Sequence, residues 1–145
     1  MKSSFLHVGL TVFDLDRTID FYEKYFDYKV EFKGVFPPKF IGVVPQLYKQ
    51  KEGVYSDFAI LKSPDGVVLE LFRFSSMEPA KPTAWNQPGY HHICLKVDSV
   101  NEAYKKMAAD GIEFYFEPKF KGDPKNMKYW VFFKDPDGMM IELQD

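Results

Sequence analysis

Leu6, Val8, Leu10 and Val12 alternate with His7, Gly9 and Thr11, which predicts a strand with one apolar face. Asp14 then caps a predicted helix whose stripe, Leu15, Ile19, Tyr22 and Phe26, recurs at three- and four-residue spacing. β-rich runs follow at Tyr28 to Phe32, Ser56 to Leu61 and Val67 to Phe74, the last two joined by a Pro64-Asp65-Gly66 turn. The second half repeats the order. His91-His92-Ile93-Cys94-Leu95-Lys96-Val97 predicts a strand, and Ser99-Val100-Asn101-Glu102 has capping-box form. Val100, Ala103, Tyr104 and Met107 make the next helical stripe, which Gly111 ends. Further strands are predicted at Glu113 to Phe116, Tyr129 to Phe133 and Met139 to Leu143, with Pro136-Asp137-Gly138 as the last turn.

The halves read as two copies of one unit. His7 matches His92 at an offset of 85 residues and Glu70 matches Glu142 at an offset of 72, so the first copy carries 13 extra residues. The surplus falls in the Pro- and Gly-containing stretch 33–53, which reads as a long loop plus a short strand. The expected fold is α+β: two βαβββ modules forming curved sheets with helices outside. One domain spans 1–145, with a first module at 1–74, a linker at 75–89 marked by Pro79, Pro82 and Pro88, and a second module at 90–145.

Composition narrows the partners. With 19 basic and 21 acidic residues and a net charge of −2, there is no cationic surplus for nucleic acid. Cys94 is the single cysteine, which excludes an intrachain disulfide and a cysteine-based zinc knuckle. No apolar run approaches the roughly 20 residues of a membrane span, and Met1-Lys2-Ser3-Ser4-Phe5 has no apolar signal core. A cytoplasmic protein is expected, with no nucleic acid and no membrane. Aromatic residues reach 18%, with 15 Phe, enough for a large core or a ring-lined cavity.

Strand phase selects the candidate chemistry. His7 and Thr11 point away from the apolar face of their strand, and His92 with Cys94 and Lys96 away from that of theirs. Glu70 lies opposite Leu69 and Leu71, and Glu142 opposite Ile141 and Leu143. Two imidazoles and two carboxylates at repeat-related positions suit one divalent transition metal. They would saturate tetrahedral zinc, whereas an octahedral ion would keep two positions open. His91 shares the apolar face and reads as structural; Phe5, Phe72 and Phe74 share the site face and are candidate walls.

These features resemble the vicinal oxygen chelate superfamily, which groups glyoxalase I, methylmalonyl-CoA epimerase, fosfomycin resistance proteins and extradiol dioxygenases. The resemblance rests on both strand–helix openings, the Asp14-Leu15-Asp16-Arg17-Thr18-Ile19-Asp20-Phe21-Tyr22 run and both Pro-Asp-Gly turns. It implies paired modules around a metal-binding concavity, with His7, Glu70, His92 and Glu142 as ligands of one divalent ion, Ni, Zn, Co or Mn. It further implies a homodimer and a glyoxalase-like lyase or isomerase, related to lactoylglutathione lyase, that acts on a small carbonyl substrate through an enediolate. Glu142 or Glu70 is the expected base. The alternatives are an acyl-CoA thioester epimerase, for which Glu52 stands near the family's second base, and a non-catalytic antibiotic-binding protein. His7, His92 and Glu142 would also supply the three-ligand set of the dioxygenases and fosfomycin proteins. Glyoxalase I grips glutathione with an arginine and an asparagine where this chain has Thr11 and Phe74, which predicts a more hydrophobic substrate.

Overall fold

The computed structural model describes residues 2–81, 83–122, 125 and 128–145; Met1 and Pro82, cited above for the N-terminus and the linker, lie outside the described residues. The chain divides into two compact units, Met1–Pro79 and Ala80–Asp145. Both are α+β, each built on one four-stranded mixed sheet. None of the described helices is long and apolar enough to cross a membrane.

The first unit runs β1 (His7–Thr11), α1 (Leu15–Phe26), β2 (Lys29–Phe36), α2 (Pro38–Val43), α3 (Pro45–Tyr48), β3 (Ser56–Lys62) and β4 (Val68–Phe74). Its sheet order is β1-β4-β3-β2, with β1 parallel to β4 and the other neighbours antiparallel. Asp14 caps α1 as predicted, its side chain accepting the Arg17 N–H at 3.0 Å. The buried face of α1 holds Thr18, Ile19, Phe21 and Tyr22, while the predicted stripe ends Leu15 and Phe26 are half-buried. This face meets β3 and β4, where Leu61, Leu69 and Leu71 are buried. Each such leucine contributes about 1.5–3 kcal/mol, so β4 is pinned with Leu69 and Leu71 inward and Glu70 outward.

The second unit runs β5 (His92–Lys96), α4 (Val100–Ala109), β6 (Lys119–Lys121), β7 (Lys128–Lys134) and β8 (Met140–Gln144). The sheet order β5-β8-β7-β6 repeats the first unit's pattern, again with a parallel outer pair. Ser99 caps α4 by accepting the Glu102 N–H at 3.3 Å. Gly111, at φ 87°, ends it in a Schellman turn: the Gly111 N–H donates to the Ala108 carbonyl and the Ile112 N–H to that of Met107, both at 3.0 Å.

The two hairpin turns share a mechanism. The Gly66 N–H donates to the Ser63 carbonyl, and the Gly138 N–H to that of Asp135, with both glycines at positive φ. The Ser63 hydroxyl accepts the Val67 N–H at 2.8 Å, and the Asp135 carboxylate accepts the Met139 N–H at 2.9 Å. Ser63 and Asp135 are repeat equivalents, so one geometry is held by a hydroxyl in one unit and a carboxylate in the other.

Four expectations need correction. The strand predicted to stop at Phe32 continues to Phe36, because Gly34, Val35 and Phe36 stay paired with β3. The rest of 33–53 is not a loop with a short strand but holds α2 and α3, each with a proline in its first turn, where the missing N–H costs nothing. The strand predicted at Glu113 to Phe116 is reduced to one bridge, Phe114 to Phe133, and Pro118, which lacks an N–H, precedes the actual strand β6. Leu6 and Phe5 are 74% and 78% exposed: both precede the first ladder pair, so no alternation orients them.

Candidate metal-binding site

In both units a parallel strand pair brings one histidine to one glutamate across a long stretch of chain. His7 pairs with Val68 and Gly9 with Glu70; correspondingly His92 pairs with Met140 and Cys94 with Glu142. Every one of these partners is related by the offsets that align the two halves, so the registers are equivalent. The His7 Nε2 lies 3.4 Å from the Glu70 Oε2, and the His92 Nε2 lies 3.3 Å from the Glu142 Oε2. Neighbouring ligands held about 2.1 Å from one ion stand roughly 3.0–3.4 Å apart, so each pair has the spacing of two ligands on one metal edge. Imidazole nitrogen with carboxylate oxygen is also a donor set that divalent transition ions accept. The residues present fit such an ion. Among the described residues no group of three or more His, Cys, Asp or Glu side chains gathers as a metal site; each unit brings together one pair.

The two glutamates are held differently. Glu142 is 9% exposed and accepts the Gln144 Nε2 at 2.7 Å, while the Lys121 Nζ donates to the Gln144 Oε1 at 3.1 Å. The Cys94 thiol is hydrogen-bonded to Glu142 as well; burial, and then the neighbouring carboxylate, push it up to about 11, so it stays a protonated donor at neutral pH. Glu70 is more open, and among the described residues its one polar side-chain partner is His7. The His92 ring is edge-on to Phe132 at 5.1 Å and lies 5.4 Å from Trp85, while its buried Nδ1 has no hydrogen-bond partner among the described residues.

His91 does not lie on the apolar face as predicted. It precedes β5, whose ladder begins at His92, so strand alternation does not apply. Instead its ring stacks on Trp85 at 5.1 Å, and its Nε2 is 3.1 Å from the Ala84 carbonyl. Glu52 is exposed in a turn that borders a hollow of about 440 Å³, and the lining of that hollow contains neither His7 nor Glu70. Thr11 is exposed at the end of β1, and Phe74 is half-buried beside Phe72 and Tyr48. Sequence reasoning missed Gln144 and Trp85. Gln144 was accessible, since it follows Glu142 by two residues and shares its strand face; Trp85 lies outside any strand, where periodicity says nothing.

Comparison with known proteins identifies the family and the fold. A family model described as Glyoxalase/Bleomycin resistance protein/Dioxygenase superfamily matches residues 4–143. A lactoylglutathione lyase of Schizosaccharomyces pombe is 26% identical over 142 residues, covering 94% of this chain but only 45% of the lyase. A glyoxalase family protein of Bacillus cereus has a similar fold, with TM-score 0.81 and 21% identity over 99% of this chain and 94% of its own. The fosfomycin resistance protein FosX of Listeria monocytogenes, solved with Mn(II) and sulfate, matches with TM-score 0.62 and 19% identity over 99% and 93% of the two chains.

Proposed function

The chain belongs to the Glyoxalase/Bleomycin resistance protein/Dioxygenase superfamily, and from its two His–Glu pairs we propose a metal-dependent lyase or isomerase of the glyoxalase I type. The observation that carries this reading is the repetition of the pair, with the same residue types, equivalent register and the same atoms at 3.4 and 3.3 Å. His7, Glu70, His92 and Glu142 are inferred to hold one divalent ion, the two halves coming from both units of one chain or from two chains of a homodimer. Manganese, present in the FosX structure, is the first ion to test, followed by Ni, Zn and Co. A bound ion would polarise the substrate carbonyl and offset the charge that develops on its oxygen.

The chain's own groups then divide the work. Glu142, buried and tied by Gln144 and Cys94, keeps its position. Glu70, the less tethered carboxylate, takes the proton from the carbon beside the carbonyl as the C–H electron pair moves toward the carbonyl oxygen. In an α-hydroxy carbonyl compound it returns that proton to the former carbonyl carbon while the hydroxyl hydrogen passes to the former carbonyl oxygen, so carbonyl and hydroxyl exchange places without any external oxidant. Glutathione is a poor fit, because neither Thr11 nor Phe74 can replace the charged grip on a carboxylate. A lost charge-assisted contact of about 2–3 kcal/mol corresponds to roughly a hundredfold in affinity.

The test is elemental analysis of purified protein, followed by NMR detection of solvent deuterium entering α-hydroxy and α-keto carbonyl compounds. His92→Ala is expected to abolish metal binding and exchange, and His91→Ala to leave metal content intact. The opposite pattern would overturn the ligand assignment. Efficient lactoylglutathione formation would overturn the reading of Thr11 and Phe74, and a filled site without exchange on any compound would point to oxygenase or sequestration chemistry. Light scattering that shows a monomer at micromolar concentration would remove the dimer.

A further inference from the structure

The sheet face that carries His7 and Glu70 also carries a cluster of aromatic rings. Phe72 and Phe74 follow Glu70 on the same side of β4, and Phe58 pairs directly with Phe72. The Phe58 and Phe72 rings are 4.9 Å apart, and Phe36 reaches Phe58 at 4.7 Å. Phe40 stacks on Phe36 at 4.5 Å and 15°, and Tyr48 closes on Phe74 at 6.2 Å. Three of these rings, Phe36, Phe40 and Tyr48, come from the stretch 33–53 that makes the first copy longer than the second. The extra residues therefore build a wall, and that wall is aromatic.

This patch is contiguous with the metal-ligating pair. A Cβ on Gly9, the residue beside Glu70, would stand 3.8 Å from the Phe72 ring, so that ring extends over β1 next to His7. Phe40 is 46% exposed and Phe36, Phe72 and Phe74 are half-buried, although a soluble protein ordinarily covers rings that form one continuous patch. Charge on the face is equally informative. From Glu70 to Phe74 the ladder positions on this face hold neither lysine nor arginine; Lys62 and Lys29, at its opposite end beside Val68, are ion-paired with Glu31 and Asp27. In the second unit the repeat equivalent of Phe72 is Gln144, a polar residue spent on Glu142. Trp130 and Phe132 put rings on the second unit's face as well, so what is particular to the first unit is the Phe72–Phe74 pair with Phe40 and Tyr48 from the longer stretch.

We propose that this platform selects the substrate, and that the carbonyl compound handled at His7 and Glu70 carries an uncharged aromatic group. The group lies on Phe72 and Phe74, with Phe36 and Phe40 as the far wall. The proposal rests on the site reading above and deepens it from a small carbonyl compound to an aromatic one. An aromatic pair contributes three- to tenfold in affinity beyond the area it buries, so a ring that touches two of these phenylalanines gains at least tenfold over a methyl group.

The matched probes are α-hydroxyacetophenone and hydroxyacetone, which share the vicinal oxygens and differ in phenyl against methyl. Their affinities for the full-length protein are measured by calorimetry, both with Mn(II) and after treatment with chelator. At least tenfold tighter binding of the aromatic probe is expected with the metal. Phe74→Leu, which keeps apolar bulk without a ring, and Phe40→Ala, at an exposed position, should each move the ratio of affinities toward one, with circular dichroism unchanged. Equal affinities for the two probes in the metal-loaded protein would overturn the platform and leave the metal reading standing. Affinities of both probes that are unchanged by chelation, with the aromatic preference kept, would support the platform while telling against the ion. If instead Phe40→Ala turns a dimer into a monomer and the probe ratio does not move, a second copy covers these rings and the proposal fails.

Discussion

Replacing Gln144 by leucine should loosen the candidate metal site through one atom pair. The Gln144 Nε2 donates to the Glu142 Oε1 at 2.7 Å, a short, charge-assisted bond to a carboxylate that is only 9% exposed. Bonds of this kind contribute about 1.5–3 kcal/mol, and leucine supplies no donor in return. His92 and Cys94 still face Glu142, so part of the loss is covered and the lower end of the range is expected. At about 1.4 kcal/mol per decade, the affinity for Mn(II) should fall roughly tenfold, within the span usual for groups that orient a ligand. Calorimetry against a competing chelator measures this directly, with circular dichroism as the control for folding. Lys121→Met should have a smaller effect, because its bond to Gln144 is exposed to water. An unchanged affinity in folded Gln144→Leu protein would refute the idea that Gln144 fixes Glu142 for a metal.

Two further outcomes follow from the turn and from the thiol. Asp135 is buried and accepts the N–H groups of Asp137 and Met139, both at 2.9 Å, so Asp135→Ala should cost about 2–4 kcal/mol in urea unfolding. Asp135→Ser should recover part of that, because Ser63 holds the equivalent turn with a hydroxyl; equal loss in both variants would refute the equivalence. Cys94 should react with iodoacetamide roughly a hundredfold more slowly at pH 8 than an ordinary cysteine, since its thiol is pushed up to about 11 and remains protonated below that pH. In metal-free protein the rate should climb through pH 9 to 11, and a rate that levels off by pH 9 would show that burial and Glu142 do not act on it.

The pattern of residues determined the periodic parts of this protein. Asp14 and Ser99 start their helices as read, because a cap is a local hydrogen bond completed within three residues. The Pro-Asp-Gly turns are equally local, requiring little beyond a glycine at positive φ and one side-chain acceptor. The repeat also marked His7, Glu70, His92 and Glu142, since copies preserve strand phase. Phase fails where no ladder enforces it, which is why it does not orient Leu6, Phe5 and His91.

Tertiary structure decided the rest. Parallel pairing of β1 with β4, and of β5 with β8, puts each histidine beside a glutamate that lies 63 or 50 residues further along, and no local pattern encodes such a distance. It likewise decided that the extra stretch in the first copy continues β2 and adds two short helices. Phe36 stays in the ladder opposite Ser56 while its ring packs on Phe58, and a loop reading based on Pro and Gly content cannot register contacts made across strands. The unequal holding of the two glutamates has the same origin. Gln144 and Cys94 reach Glu142 from its own strand and the neighbouring one, whereas the equivalent positions around Glu70 hold Phe72 and Gly9, which have no side-chain donor to offer. Side chains that are equivalent along the chain become different chemistry only once neighbouring strands supply, or withhold, their hydrogen bonds.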